Sequence, residues 1–183
     1  MSGSKSTINT SILATSQRLL AICITLPLAL SSLFSFINNV SGWQGTMDFV
    51  IAPMLSMEGT FGNPAQTWRA VDSNFLGQLA FGAVSLLELF VFAICAIAIS
   101  KMMKTFKRSA AEYCGAIMVA KLASIYAIFV WIFFFFTIAG DWFLIWQNTD
   151  LKPVQFDAVN YAAVALFSLI CLHILEGDIK TTG

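Results

Sequence analysis

The sequence predicts an all-α integral membrane protein, a bundle of four transmembrane helices beneath an aromatic-rich periplasmic cap. Three observations carry that reading. With 58% hydrophobic and 11% charged residues in 183 and a mean hydropathy of +0.79, the chain lies outside the globular range, where about a quarter of residues are charged. Four long apolar runs interrupt it, each near the length that crosses a bilayer. The basic residues gather at alternate ends of those runs. Ten basic and ten acidic residues cancel, so no bulk charge argues for nucleic acid, and the first partner is the lipid bilayer.

The first run, 19–37, carries no charge and approaches the ~20 residues needed to cross ~30 Å of hydrocarbon. Pro27 is expected to kink it. A cleaved signal peptide is the competing reading, although the run exceeds the usual apolar core and no Ala-x-Ala site closes it. The second run, 75–100, is apolar apart from Gln78, Glu88 and a few small polar residues. The third, 116–140, holds Lys121 near its start and an aromatic block over 131–136. The fourth and shortest is 159–175. Uninterrupted runs without barrel alternation satisfy their backbone in lipid only as helices. They make a single membrane domain of residues 1–183.

Orientation follows from the tendency of basic residues near span ends to stay in the cytoplasm. Lys101, Lys104, Lys107 and Arg108 share the short loop 101–115. With that loop inside, both termini are inside too, bringing Lys5, Arg18 and Lys180 with them. Only Arg69 and Lys152 fall outside, with six acids: Asp48, Glu58, Asp72, Asp141, Asp150 and Asp157.

The outer segments 38–74 and 141–158 are long enough to carry function. Residues 47–57 are apolar, broken by Pro53 and too short to span, which suggests an interfacial or re-entrant segment. Trp43, Trp68, Trp142 and Trp146, four of the five tryptophans, lie in these outer segments. An aromatic belt would be shared by both interfaces, so an organised cap competes with simple anchoring.

These outer residues also carry a resemblance. The stretch Ala139-Gly140-Asp141-Trp142-Phe143-Leu144-Ile145-Trp146-Gln147-Asn148 resembles the Gly-Gly-Glu-Trp-Phe-x-Met-Trp-Gln-Ser signature of a bacterial family of predicted small integral membrane proteins, catalogued as domain of unknown function twenty-one sixty-five. Leu55-Ser56-Met57-Glu58-Gly59-Thr60-Phe61, with Trp68-Arg69-Ala70 downstream, is similar to the family's second outer element, and Glu88 matches its acidic residue in the second span. Pro53 stands where the family tends to have His. The resemblance implies the four-span fold and a bacterial inner-membrane setting, and no activity.

Two candidate sites emerge. Glu88 lies about 18 Å from the inner end of its helix, where an ionisable group is costly and functional by default. Gly77, Gln78, Phe81, Gly82, Ser85, Glu88 and Cys95 share an arc of roughly 140° that should face the bundle. A proton or cation site competes there with a structural, hydrogen-bonded Glu. Lys121 either snorkels to the inner headgroups or turns inward to pair with Glu88. The second candidate is an outer polar pocket of Asp48, Glu58, Arg69, Asp141, Trp142, Trp146 and Gln147, with Trp142 and Trp146 on one helical face.

Other chemistry is thinly supported. Met47, Met54 and Met57 could ligate a soft metal, but on an apolar segment they read as packing, and no metal site is expected. The single histidine, His173, excludes a bis-histidine haem within one chain. The cysteines Cys23, Cys95, Cys114 and Cys171 form no Cys-x-x-Cys pair and read as buried free thiols. No Ser-His-Asp set assembles without crossing the membrane to His173, and no phosphate loop appears. No cofactor is legible. The expected class is a non-enzymatic binding or accessory subunit of a membrane assembly, as a homo-oligomer or within a larger complex. A small transporter or channel component coupled to Glu88 protonation is the alternative, and a membrane-embedded redox or other enzyme subunit the third.

Overall fold

The computed structural model describes residues 2–182, with side chains over 12–181, so the Lys5 side chain lies outside the described residues. Helix accounts for 85% of the chain, with no strand among the described residues. Four helices are long and apolar enough to cross a membrane: α1 (Ser2–Ser41), α4 (Asn74–Thr105), α5 (Ala110–Val130) with its continuation Trp131–Trp142, and α6 (Lys152–Thr182). Between α1 and α4 lie α2, residues 43–55, and the single turn α3 (Pro64–Thr67).

The helices outrun the apolar stretches that announce them. Hydropathy marks only the hydrocarbon-facing part, whereas a helix continues until its backbone donors find another partner. α4 begins where the Ser73 hydroxyl accepts the Leu76 N–H, and α5 where Ser109 and Glu112 form a reciprocal capping box. The expected loop 101–115 therefore shrinks to residues 106–109, and 141–158 to residues 143–151.

Consecutive long helices pack side by side, and α1 closes the ring against α6, while the diagonal pair α1 and α5 scarcely touches. Small residues make the close approach possible: Ala21, Ala98, Ala120, Ala127, Ala158 and Ala165 are all buried. Large side chains such as Leu86, Phe90 and Phe167 point outward, the arrangement expected where lipid is the solvent. Four buried hydroxyls are satisfied locally, Thr25, Ser32, Ser85 and Ser124 each donating to the carbonyl four residues back, while Ser168 donates across to the Ile24 carbonyl of α1. Cys95 and Cys114 are buried, but Cys23 is exposed on the outside of α1 and Cys171 is half-buried, so the expectation of four buried thiols holds for two.

One end of the bundle is basic. There Arg18 reaches from α1 to the α4–α5 connection, its guanidinium donating to the carbonyls of Phe106 (2.6 Å) and Arg108 (2.8 Å). It stacks over Tyr113, whose hydroxyl donates back to the Arg18 carbonyl at 2.6 Å. The opposite end carries the two long connections and most of the tryptophans, and is called the cap end below.

Candidate functional site

Glu88 lies near the middle of α4, roughly 20 Å from its first residue, and is 3% exposed. The face beside it is buried as expected at Gly77, Phe81, Ser85 and Cys95. Gln78 departs from that expectation: it is exposed and reaches along its own helix to Asn74. A step of 100° from Gly77 carries it out of the interface. Ser85 is inward, but its hydroxyl is committed to the Phe81 carbonyl.

The Glu88 carboxylate accepts a hydrogen bond at 2.8 Å from the side-chain amide of Asn39, in the last turn of α1. The side chain of Trp131, on the continuation of α5, stands beside the same carboxylate and is itself almost fully buried. Asn39 is absent from the sequence reading because it lies beyond the apolar run of the first span and carries no charge. Only the fold brings it to Glu88.

Above this group opens a cavity of about 370 Å³, lined largely by apolar side chains, with Glu88 and Asp157 its only charged residues. Its walls come from α1, α4, α5 and α6, and α2 lies across it, contributing Val50, Ile51, Met54 and Leu55. Gly77 lets α2 come so near, since a Cβ there would meet the Met47 methyl carbon at 3.1 Å and Leu55 at 3.3 Å. Two stretches of this lining, Met47–Ile51 and Trp131–Trp142, are π-helical. In the second the Phe143 N–H closes a five-residue step onto the Ile138 carbonyl at 3.0 Å. Such widened turns are rare and recur at functional sites. Trp131 and Tyr161 stack on one side of the cavity, with centroids 5.0 Å apart.

Lys121 is not part of this group. It pairs with Glu176 at 2.6 Å, and Lys180 holds the other carboxylate oxygen at 2.6 Å. Lys121 therefore neither snorkels freely nor turns to Glu88, because a buried partner stands nearer the basic end. Glu176 escapes the sequence reading: at the end of the fourth run it looks like an ordinary headgroup-level charge.

The seven expected cap residues do not converge into one pocket. Asp48 is exposed and accepts from Gln44, and with Glu58 it lines a separate polar recess. Arg69 lies over the Trp142 ring at 5.3 Å, while Asp141 is exposed. Trp142 and Trp146 do not share a helical face. The helix ends at Trp142, Leu144 adopts the left-handed region (φ 57°), and a 3-10 turn follows over Ile145–Gln147. Trp142 consequently packs edge-on against Trp68, and Trp146 against Phe61.

The cap chemistry is a latch between the two long connections. The Gln147 side chain accepts the Phe61 N–H at 3.0 Å. Asn148 donates to the Glu58 carbonyl at 2.7 Å and accepts from the backbone of Asp150 and Leu151. Met54 lines the cavity, while Met47 and Met57 are buried, so all three pack. Among the described residues no three His, Cys, Asp or Glu side chains converge to hold a metal, and His173 is exposed on α6.

No curated protein and no solved structure matches the chain. A family model does: the match runs over residues 17–175, taking in all four long helices, the cap and Glu88. The chain belongs to the family of predicted small integral membrane proteins of the DUF2165 class.

Proposed function

We propose that the protein is an intramembrane binding protein that takes the apolar body of a small amphiphile into the cavity beneath α2, as the binding or accessory subunit of a larger membrane assembly. The cavity carries this reading. It has the size range of small-molecule sites, an apolar and aromatic lining, and few polar groups, chief among them the Glu88–Asn39 pair. Conduction draws less support. Below Glu88 the buried side chains of Val91, Cys95, Ala98, Ala123 and Ala127 are wholly apolar or nearly so, and the buried hydroxyls of Thr25, Ser32 and Ser124 are each committed to a carbonyl of their own helix.

The setting we propose is the bacterial cytoplasmic membrane, with both termini cytoplasmic and the cap periplasmic. Support comes from Lys101, Lys104, Lys107 and Arg108 at one end against Asp48, Glu58, Asp72, Asp141 and Asp150 at the other. Extraction from native membranes in polymer-bounded lipid particles, with mass spectrometry of retained small molecules, tests the binding reading. Wild-type protein should retain a stoichiometric molecule that Ala158→Phe, which fills the cavity wall, loses while keeping its helical content. Equal retention by both proteins, or only bulk lipid with the wild type, would remove the proposal.

A further inference from the structure

The charge of the cavity is one-sided. Glu88 in the interior and the exposed Asp157, in the second turn of α6, are its charged groups, with no Lys, Arg or His among the lining residues. Nor does either find a cation elsewhere. The ion pairs described join Arg108 to Glu112, Lys121 to Glu176 and Lys180 to Glu176. The hydrogen bond described at the Glu88 carboxylate comes from the neutral Asn39 amide, and no described hydrogen bond or ion pair engages the Asp157 carboxylate. A carboxyl group taken from water without a countercharge either holds a proton or takes a cation, and of the two acids Glu88 is the one so placed. Trp131, Tyr161, Phe81, Phe134 and Phe135 line the same cavity. Aromatic rings beside carboxylates in a desolvated site favour a weakly hydrated cation, above all a substituted ammonium whose methyl groups meet ring faces.

We infer that the ligand is a lipophilic organic cation, its substituted-ammonium head beside Glu88 and the stacked Trp131 and Tyr161, its apolar body among the phenylalanines, with Asp157 adding negative charge at the exposed rim. This rests on the binding function proposed above and gives it a ligand class. A neutral amphiphile would leave the buried Glu88 without a countercharge. An anionic one would meet two carboxylates and no positive group.

Benzyltrimethylammonium and its uncharged carbon isostere neopentylbenzene separate charge from shape. Their binding to the purified full chain in uncharged detergent is measured by equilibrium dialysis. The cation should bind about tenfold tighter than the isostere, as expected of a desolvated charge partner. Glu88→Gln and Asp157→Asn should each reduce that preference, leaving neopentylbenzene unaffected. Asp157→Asn changes an exposed side chain and keeps the test open where Glu88→Gln fails to fold. Ala158→Phe should abolish binding of both probes. Equal binding of the two probes, or a preference that survives both charge variants, overturns the cation while leaving the cavity function standing. Binding of neither probe, or binding indifferent to Ala158→Phe, removes the cavity function and the cation together.

Discussion

Lys121 and Glu176 leave water together, and the third member of their cluster does not. Their side chains are 12% and 10% exposed, against 58% for Lys180 on the same carboxylate. Deleting one partner of a buried pair is costly mainly because the other is stranded, so the two single variants should differ. Lys121→Met leaves Glu176 its bond to Lys180 and should cost about 1 kcal/mol. Glu176→Leu strands the Lys121 ammonium among apolar side chains and should cost about 3 kcal/mol. Combining them should recover most of the loss. Thermal unfolding in detergent measures all three, and equal costs for the two singles would contradict the asymmetry. The same cluster shows where residue-level legibility stops. Glu88 and Lys121 stand out as charges within apolar runs, and their expense is readable one residue at a time. Their partners are not, because Asn39, Trp131 and Glu176 are each ordinary where they stand and acquire a role only through tertiary contact.

Among the elements, the cap departs furthest from sequence expectation, because its geometry depends on backbone states that hydropathy does not encode. A regular helix through the Asp-Trp-Phe-x-x-Trp-Gln stretch would align Trp142 with Trp146. The π-helical widening and left-handed Leu144 redirect them to different partners. The long helices were legible because burial in lipid imposes one backbone solution on any apolar run of sufficient length, and no such constraint acts on the connections. What fixes them is the Asn148 latch, seated against a residue that has to be glycine. Gly59 is left-handed (φ +72°), and a Cβ there would meet the Asn148 amide nitrogen at 2.7 Å. Gly59→Ala should therefore cost about 1–2 kcal/mol from backbone strain alone. Asn148→Ala, which removes one donated and two accepted hydrogen bonds, should cost about 2 kcal/mol. Both variants should speed limited proteolysis within residues 56–73 without disturbing the four long helices. Wild-type resistance in both would mean that the latch does not hold the cap.

At the scale of the whole molecule, the bundle is asymmetric along its axis, and that asymmetry ties the proposed function to one side of the membrane. Every element around the cavity belongs to the cap half: the last turns of α1, α2, the first half of α4, the π-helical end of α5 and the start of α6. The basic half has a core filled by Ala21, Met102, Tyr113, Ile117 and Leu172 and is tied across its end by Arg18; its recess, beside Lys121 and His173, lies on the outward face between α5 and α6. A ligand would then reach Glu88 from the cap side or from the adjoining lipid leaflet, so the orientation of the bundle decides which compartment the protein serves. Because Lys and Arg near span ends govern orientation far more than acids do, the short α4–α5 connection should dominate it. In a cysteine-free background, Ser56→Cys at the cap and Lys104→Cys at the basic end both present exposed positions. A membrane-impermeant maleimide applied to intact spheroplasts should label the first at once and the second only after permeabilisation. Replacing all four of Lys101, Lys104, Lys107 and Arg108 by Gln beside Ser56→Cys, or Lys101, Lys107 and Arg108 by Gln beside Lys104→Cys, should yield a mixed population in which each site is labelled in part. Labelling of Lys104→Cys but not Ser56→Cys in intact cells would invert the orientation and turn the cavity toward the cytoplasm.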